Sequence, residues 1–199
     1  MPSPLSPQEP SQGGQFDLSL ADALSTMSQL KALQPMLEKA ADMVSATLLG
    51  GHKLMLCGNG GSASDAAHIA TEFTCRFSED RRPYPAMALT ADGGLMTAIG
   101  NDYHFEDIFK RQVVAFGKAG DLLIAISTSG QSRNLLLALE EAKKLGIQTI
   151  AFLGKTGGFT AGLADLDLLI PGSVTARIQE AQKFLLHVVC EIVEERLPR

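Results

Sequence analysis

The sequence predicts a doubly wound α/β fold: a three-layer αβα sandwich around a parallel five-stranded sheet, with extra helices at both ends of the chain. Three observations predict it. Five short apolar runs alternate with longer segments of helical spacing. The runs are continuously apolar rather than alternating, the pattern of strands covered on both faces. Two of them end in short polar loops, one rich in glycine and one in serine, that lead into helix-like segments, as strands do in open parallel sheets.

The elements follow in order. Met1–Gln15 is rich in Pro, Ser, Gln and Gly and reads as a flexible tail, which leaves residues 16–199 as one domain. Phe16–Leu49 carries apolar residues at mixed three and four spacing, and Pro35 divides it into two helices. Gly50 and Gly51 end this region. Lys53–Cys57 is a strand, Ser64–Phe77 a helix and Pro85–Leu89 a strand. Leu95–Ile99 and Phe105–Phe116 are helical. Asp121–Ile126 is a strand, and Asn134–Leu145 a helix closed by Gly146. Thr149–Leu153 and Leu166–Ile170 are strands, and Ala176–Leu197 is a long final helix.

Composition narrows the function classes. The chain has 199 residues, 45% hydrophobic and 20% charged, ordinary for a soluble globular protein. A net charge of −5 argues against a nucleic-acid partner. No apolar run reaches the length of a membrane span, and the N-terminus lacks the pattern of a secretion signal, so no membrane partner is expected. Cys57, Cys75 and Cys190 have no C-x-x-C spacing and read as thiols in a reducing cytoplasm.

The two loops carry the chemistry. Gly58–Ser64 (GNGGSAS) follows the first strand, and Ser127–Ser132 (STSGQS) follows the third. Strand, small-residue loop and helix together offer free backbone N–H groups to an anion. Ser127, Thr128, Ser129 and Ser132 add hydroxyls, more than a helix cap at Ser132 needs, and point to a phosphorylated ligand. No lysine makes this a Walker A loop, and no acidic residue ends the next strand as a dinucleotide fingerprint requires.

His68 and Glu72 lie four apart on the helix after the glycine loop, hence on one face. Such a pair can ligate a metal, share acid–base work or form a surface ion pair. The final helix carries Gln179, Glu180 and His187. Spacing aligns Glu180 best with His187, almost two turns on, although a tilted helix could bring Gln179 round instead. Asn101 and Asp102 read as a loop pair before the Phe105 helix, an Asx turn or a grip on sugar hydroxyls.

Four motifs in this order resemble the phosphoheptose isomerases, which have the sugar isomerase (SIS), flavodoxin-like fold. They are Cys57–Phe73 (CGNGGSASDAAHIATEF), Ala98–Tyr103 (AIGNDY), Ile126–Ser132 (ISTSGQS) and Arg177–Glu180 (RIQE) with His187. The likeness runs from about Asp17 to the C-terminus; His104 stands where the family leads one to expect glycine. It implies conversion of sedoheptulose 7-phosphate to D-glycero-D-manno-heptose 7-phosphate through an enediol, the first step toward ADP- or GDP-heptose and so a precursor of lipopolysaccharide or another glycan. It also implies a cytoplasmic homotetramer with active sites at subunit interfaces and one Zn2+ per subunit.

Carried across, the family's zinc ligands fall on His68, Glu72, Gln179 and His187. Its substrate contacts fall on Asn59, Gly60, Gly61, Glu72, Asn101, Asp102, Ser127, Thr128, Ser129, Ser132 and Gln179. Glu72 then serves as carbon base and His187 as acid/base toward the oxygens. The competing readings are a non-catalytic SIS protein that binds the bacterial replication initiator and a sugar-phosphate sensor. The joint presence of His68, Glu72 and His187 favours the enzyme.

Overall fold

The computed structural model describes residues 14–198. Residues 1–13 of the expected tail lie outside that range, and Gln15 already opens the first helix. Seven helices and five strands follow: α1 (Gln15–Gln29), α2 (Gln34–Leu49), β1 (Leu54–Gly58), α3 (Gly61–Thr74), β2 (Ala86–Ala88), α4 (Gly93–Asp102), α5 (Ile108–Phe116), β3 (Leu122–Ser127), α6 (Arg133–Lys144), β4 (Gln148–Gly154), β5 (Leu166–Ile170) and α7 (Thr175–Arg196). The five strands pair in parallel in the order β2-β1-β3-β4-β5. This is the three-layer sandwich that the apolar runs predict.

The strand pattern builds the layers directly. Leu54, Leu56, Leu122, Ile124, Ile126, Ile150 and Phe152 face one side of the sheet and pack with α2, α3 and α7. Met55, Cys57, Leu123 and Ala125 face the other and pack with α4, α5 and α6. Alternate residues of β1 and of β3 therefore enter two different cores, which is why these central strands carry no polar face. The order reverses at β1 and β3. The helix after β1 covers one face and the helix after β3 the other, so a crevice opens at their C-terminal ends.

Four local differences from the sequence reading have physical causes. α3 opens at Gly61 rather than Ser64, because Gly60 takes φ +56° and turns the chain from β1 straight into helix. It closes at Thr74 rather than Phe77: the Phe73 carbonyl accepts from Tyr84 N–H and the Arg81 guanidinium, which draw the chain away. Asn101 and Asp102 end α4 instead of standing in a loop. Asp92 caps α4 by accepting from Leu95 N–H, and the helical ladder continues through Gly100 to the Tyr103 N–H, which donates to Ile99. The break near Pro35 falls in a 3-10 turn at Leu30–Leu33, while Pro35 sits in the first turn of α2, where its missing N–H costs nothing.

Candidate functional site

Both loops lie at the C-terminal edge of the sheet, at the crevice between β1 and β3. The glycine loop brings α7 close. A Cβ at Gly61 would collide with the Gln179 amide, so this position admits no side chain while Gln179 stays where it is. From there α3 and α7 run alongside each other. Gln179 donates to Asp65 Oδ2 at 3.2 Å, Lys183 pairs with Asp65 Oδ1 at 2.9 Å, and His68 meets His187 one turn further on.

His68 Nε2 lies 2.9 Å from His187 Nε2 and 3.3 Å from Glu72 Oε1. One ligand atom from each of the three residues falls within 4.8 Å of the others. Their placement follows from helix geometry: His68 and Glu72 project from one face of α3, and His187 reaches across from α7. The His68 side chain is 46% exposed and that of Glu72 14%, so the cluster opens to solvent on one side. The His187 ring is flanked by Phe77 at 6.0 Å between centroids. Two imidazoles and a carboxylate form a donor set suited to zinc, and the 2.9 and 3.3 Å separations from His68 suit atoms each about 2.0–2.2 Å from one ion. The residues fit a metal.

Gln179 faces α3, whereas Glu180 turns outward and pairs with Arg177 at 2.7 Å, its side chain 46% exposed. The spacing preference for Glu180 is thereby corrected. Periodicity aligns residues on one straight helix, but the crossing with α3 decides which of them the neighbour meets.

The serine loop is stiffened from within. Ser127 Oγ accepts from Gly130 N–H at 2.9 Å, and Ser129 Oγ from Gln131 N–H at 3.2 Å. Accepting leaves each O–H free to donate to a ligand. Ser132 holds the N-cap position of α6 yet makes no side-chain capping bond, so capping does not account for it. Gly130 is pinned at φ +64° against Gly157, where a Cβ would meet the Gly157 carbonyl, and its own carbonyl accepts from Thr160. Asn59 and Asn134 exchange amide hydrogen bonds at 2.8 and 3.0 Å, tying the glycine loop to the start of α6. The two loops thus form one cradle.

Asn101 and Asp102 stand exposed at the end of α4, with Asn101 Nδ2 donating to Asp102 Oδ1 at 2.9 Å. Nothing in the described residues joins them to the three-donor cluster. Sequence reasoning passed over Asp65, Arg81, Asn134 and Gln182. Asp65 and Gln182 carried a usable signal, a polar residue on an otherwise apolar helical face. Asn134, which meets Asn59, and Arg81, which pairs with Glu194, act through contacts distant in sequence, which no local pattern announces.

Comparison with known proteins agrees with this fold. The model of the SIS domain family matches residues 20–154. A phosphoheptose isomerase of Clostridium acetobutylicum is 54% identical over 147 residues, 74% of this chain and 75% of that protein. One from Campylobacter concisus is 48% identical over 170 residues, 85% of this chain and 90% of the relative. The solved structure of phosphoheptose isomerase GmhA from Neisseria gonorrhoeae superposes with a TM-score of 0.86 at 37% identity, covering 91% of this chain and 97% of that one.

Proposed function

Since the chain belongs to the SIS domain family and, within it, to the phosphoheptose isomerases, we propose that the β1–β3 cradle converts sedoheptulose 7-phosphate to D-glycero-D-manno-heptose 7-phosphate. The observation that carries this reading is the convergence of His68, Glu72 and His187 beside a serine loop whose hydroxyls can still donate. The non-catalytic reading is not favoured, because the relatives at 48–54% identity are phosphoheptose isomerases.

The reaction moves one proton between neighbouring carbons and another between their oxygens, through a cis-enediol. The phosphate is gripped by Ser127, Thr128, Ser129 and Ser132 with the N-terminal end of α6. Asn59, Gly60 and Gly61 hold the sugar from the other loop, and Asn101 and Asp102 contact its hydroxyls. Glu72 takes the C–H proton and returns it to the adjacent carbon. His187 moves the proton between the two oxygens. The phosphate grip is remote from the reacting carbons, so its binding energy positions them for transfer.

His68, Glu72, Gln179 and His187 would hold one zinc ion per subunit; when bound, it supplies Lewis-acid polarisation of the substrate oxygens. Among them Glu72 has two roles, metal donor and carbon base.

The working form we propose is a cytoplasmic homotetramer with active sites between subunits. Phe16, Leu20 and Leu24 recur on one stripe of α1 and are exposed, while Thr26 is the residue of α1 that is buried. Such a stripe asks for a partner helix. The free cysteines suit a reducing compartment. None of the helices is long and apolar enough to cross a membrane, among the described residues. The test of activity is direct: purified protein incubated with sedoheptulose 7-phosphate should deplete the ketose anomeric signals in an NMR spectrum as aldose signals grow. An unchanged spectrum with zinc-loaded protein would refute the isomerase. Light scattering that reports a monomer at working concentration would refute the tetramer.

A further inference from the structure

Gln182 is the most completely enclosed polar side chain on α7, 0% exposed among Ile178, Ala181, Leu185 and Leu186. Its Nε2 donates to two carbonyls at once, Ser127 at 3.0 Å and Phe152 at 2.9 Å. These carbonyls belong to β3 and β4, neighbouring strands at the edge where ligands sit; Ser127 pairs with Leu153 in their ladder, one residue beyond Phe152. Gln182 Oε1, by contrast, is buried without a hydrogen-bond partner among the described residues.

Packing alone gives no reason for this arrangement. An apolar side chain would match the surrounding face and spare the orphaned Oε1, so what the amide adds is its pair of bonds to the Ser127 and Phe152 carbonyls. What the glutamine supplies is position. Ser127 opens the serine loop, and its hydroxyl braces Gly130 within it. Gln179 and His187 lie on the same helix as Gln182, three residues before and five residues after it. One amide therefore sets the first residue of the serine loop against the helix that carries His187.

We propose that Gln182 is a positioning residue that holds the serine loop in the register at which it grips phosphate. It acts on the loop through the Ser127 carbonyl and touches neither phosphate nor the reacting atoms. The proposal rests on the serine loop being the phosphate site, as the proposed function has it.

The test uses zinc-loaded full-length protein with inorganic phosphate as the probe, measured both as a competitive inhibitor and by calorimetry. Gln182→Met keeps the length of the side chain and removes both donated bonds. It should weaken phosphate binding about tenfold, the effect of losing a single good interaction, and raise KM in step, with bound zinc unchanged. Val193→Ala, a fully buried change three turns further along α7, is the control for lost stability. It should lower the melting temperature and leave phosphate affinity alone. If Gln182→Met binds phosphate as the wild type does, the positioning role is wrong. Equal weakening by Val193→Ala would overturn it too, by making the effect one of general stability. Should Gln182→Met fail to fold, Gln182→Asn, one methylene short of the Ser127 carbonyl, carries the same prediction. Ser129→Ala separates the two layers of the argument. If it leaves phosphate binding intact, the loop reading falls and takes this proposal with it. If it weakens binding while both Gln182 variants do not, the proposal alone falls.

Discussion

The two ends of the same sheet treat their polar groups in opposite ways. At the N-terminal end, Asp121 is buried and fully engaged: its carboxylate accepts from Lys53 N–H at 3.0 Å, Lys118 N–H at 2.8 Å and the Lys53 ammonium. Burial pushes its pKa up, but the bonds from Lys53 and Lys118 outweigh that and hold the carboxyl below its ordinary value. At the C-terminal end, His68, Glu72 and His187 crowd together with one another as their closest polar neighbours, and Ser132 stands at a helix start without capping it. A polar group whose bonds are all made within the fold is structure. Polar side chains that, among the described residues, bond only to one another, or like Ser132 make no capping bond, are available for chemistry, and the sheet places them where its strands point.

The sharpest way to break this contrast is at Glu72. Glu72→Gln preserves shape and helix propensity, so the protein should fold as before, yet turnover should fall by about 10² to 10⁴, the usual effect of losing a general base. Solvent deuterium incorporation into the substrate carbon should fall with it. If a folded Glu72→Gln protein keeps both, the cluster is a binding site alone. His187→Gln should cost turnover on the same scale. Chelator treatment should likewise depress activity, with zinc restoring it; full activity in demonstrably metal-free protein removes the zinc proposal and leaves a metal-free acid–base pair.

The same contrast explains how far the sequence could be read. Strand composition announced the sheet, because continuous Leu, Ile, Met and Ala runs have no other comfortable home in a chain of this length. The serine loop and the His68–Glu72 pair were legible because their residues are neighbours in sequence or one helical turn apart. What stayed hidden joins distant segments. The Asn59–Asn134 exchange spans 75 residues, and Gln182 reaches back 55 residues to Ser127. The choice between Gln179 and Glu180 depended on how α7 crosses α3, a property of packing that one helix's periodicity does not contain.

Ser129→Ala is the next smaller perturbation. Hydrogen bonds to charged groups are worth about 1.5–3 kcal/mol, so affinity for the phosphorylated substrate should drop roughly tenfold or more. Turnover at saturation should change less, since the loop is remote from the reacting carbons. Unchanged apparent affinity would show that phosphate lies elsewhere. Asp121→Asn probes the opposite edge. It should lower stability by about 1–3 kcal/mol at neutral pH and leave KM untouched. The depressed folded-state pKa means that the carboxylate stabilises the fold above the unfolded value, about 3.9, and that this contribution is lost as pH falls through the folded one. Urea titrations should therefore show the wild-type advantage at pH 7 and see it close in acid. An advantage that persists there would mean that the Asp121 charge is not its source.

The smallest effect is expected at Glu180, and it is the most discriminating test of how the two helices meet. Sequence spacing favours Glu180 as the partner of His187; the structure turns it to solvent against Arg177 and sets Gln179 on α3 instead. An exposed pair of this kind contributes little, so Glu180→Gln should leave turnover, metal content and melting temperature close to wild type. Gln179→Leu removes an amide engaged with Asp65 beside Gly61, and should reduce activity while Glu180→Gln does not. Zinc content measured on both variants sharpens the reading: a loss confined to Gln179→Leu supports its place among the ligands. If instead Glu180→Gln is the variant that loses turnover, α7 is rotated by about one residue from the arrangement described here, and Glu180 becomes the candidate base beside His187.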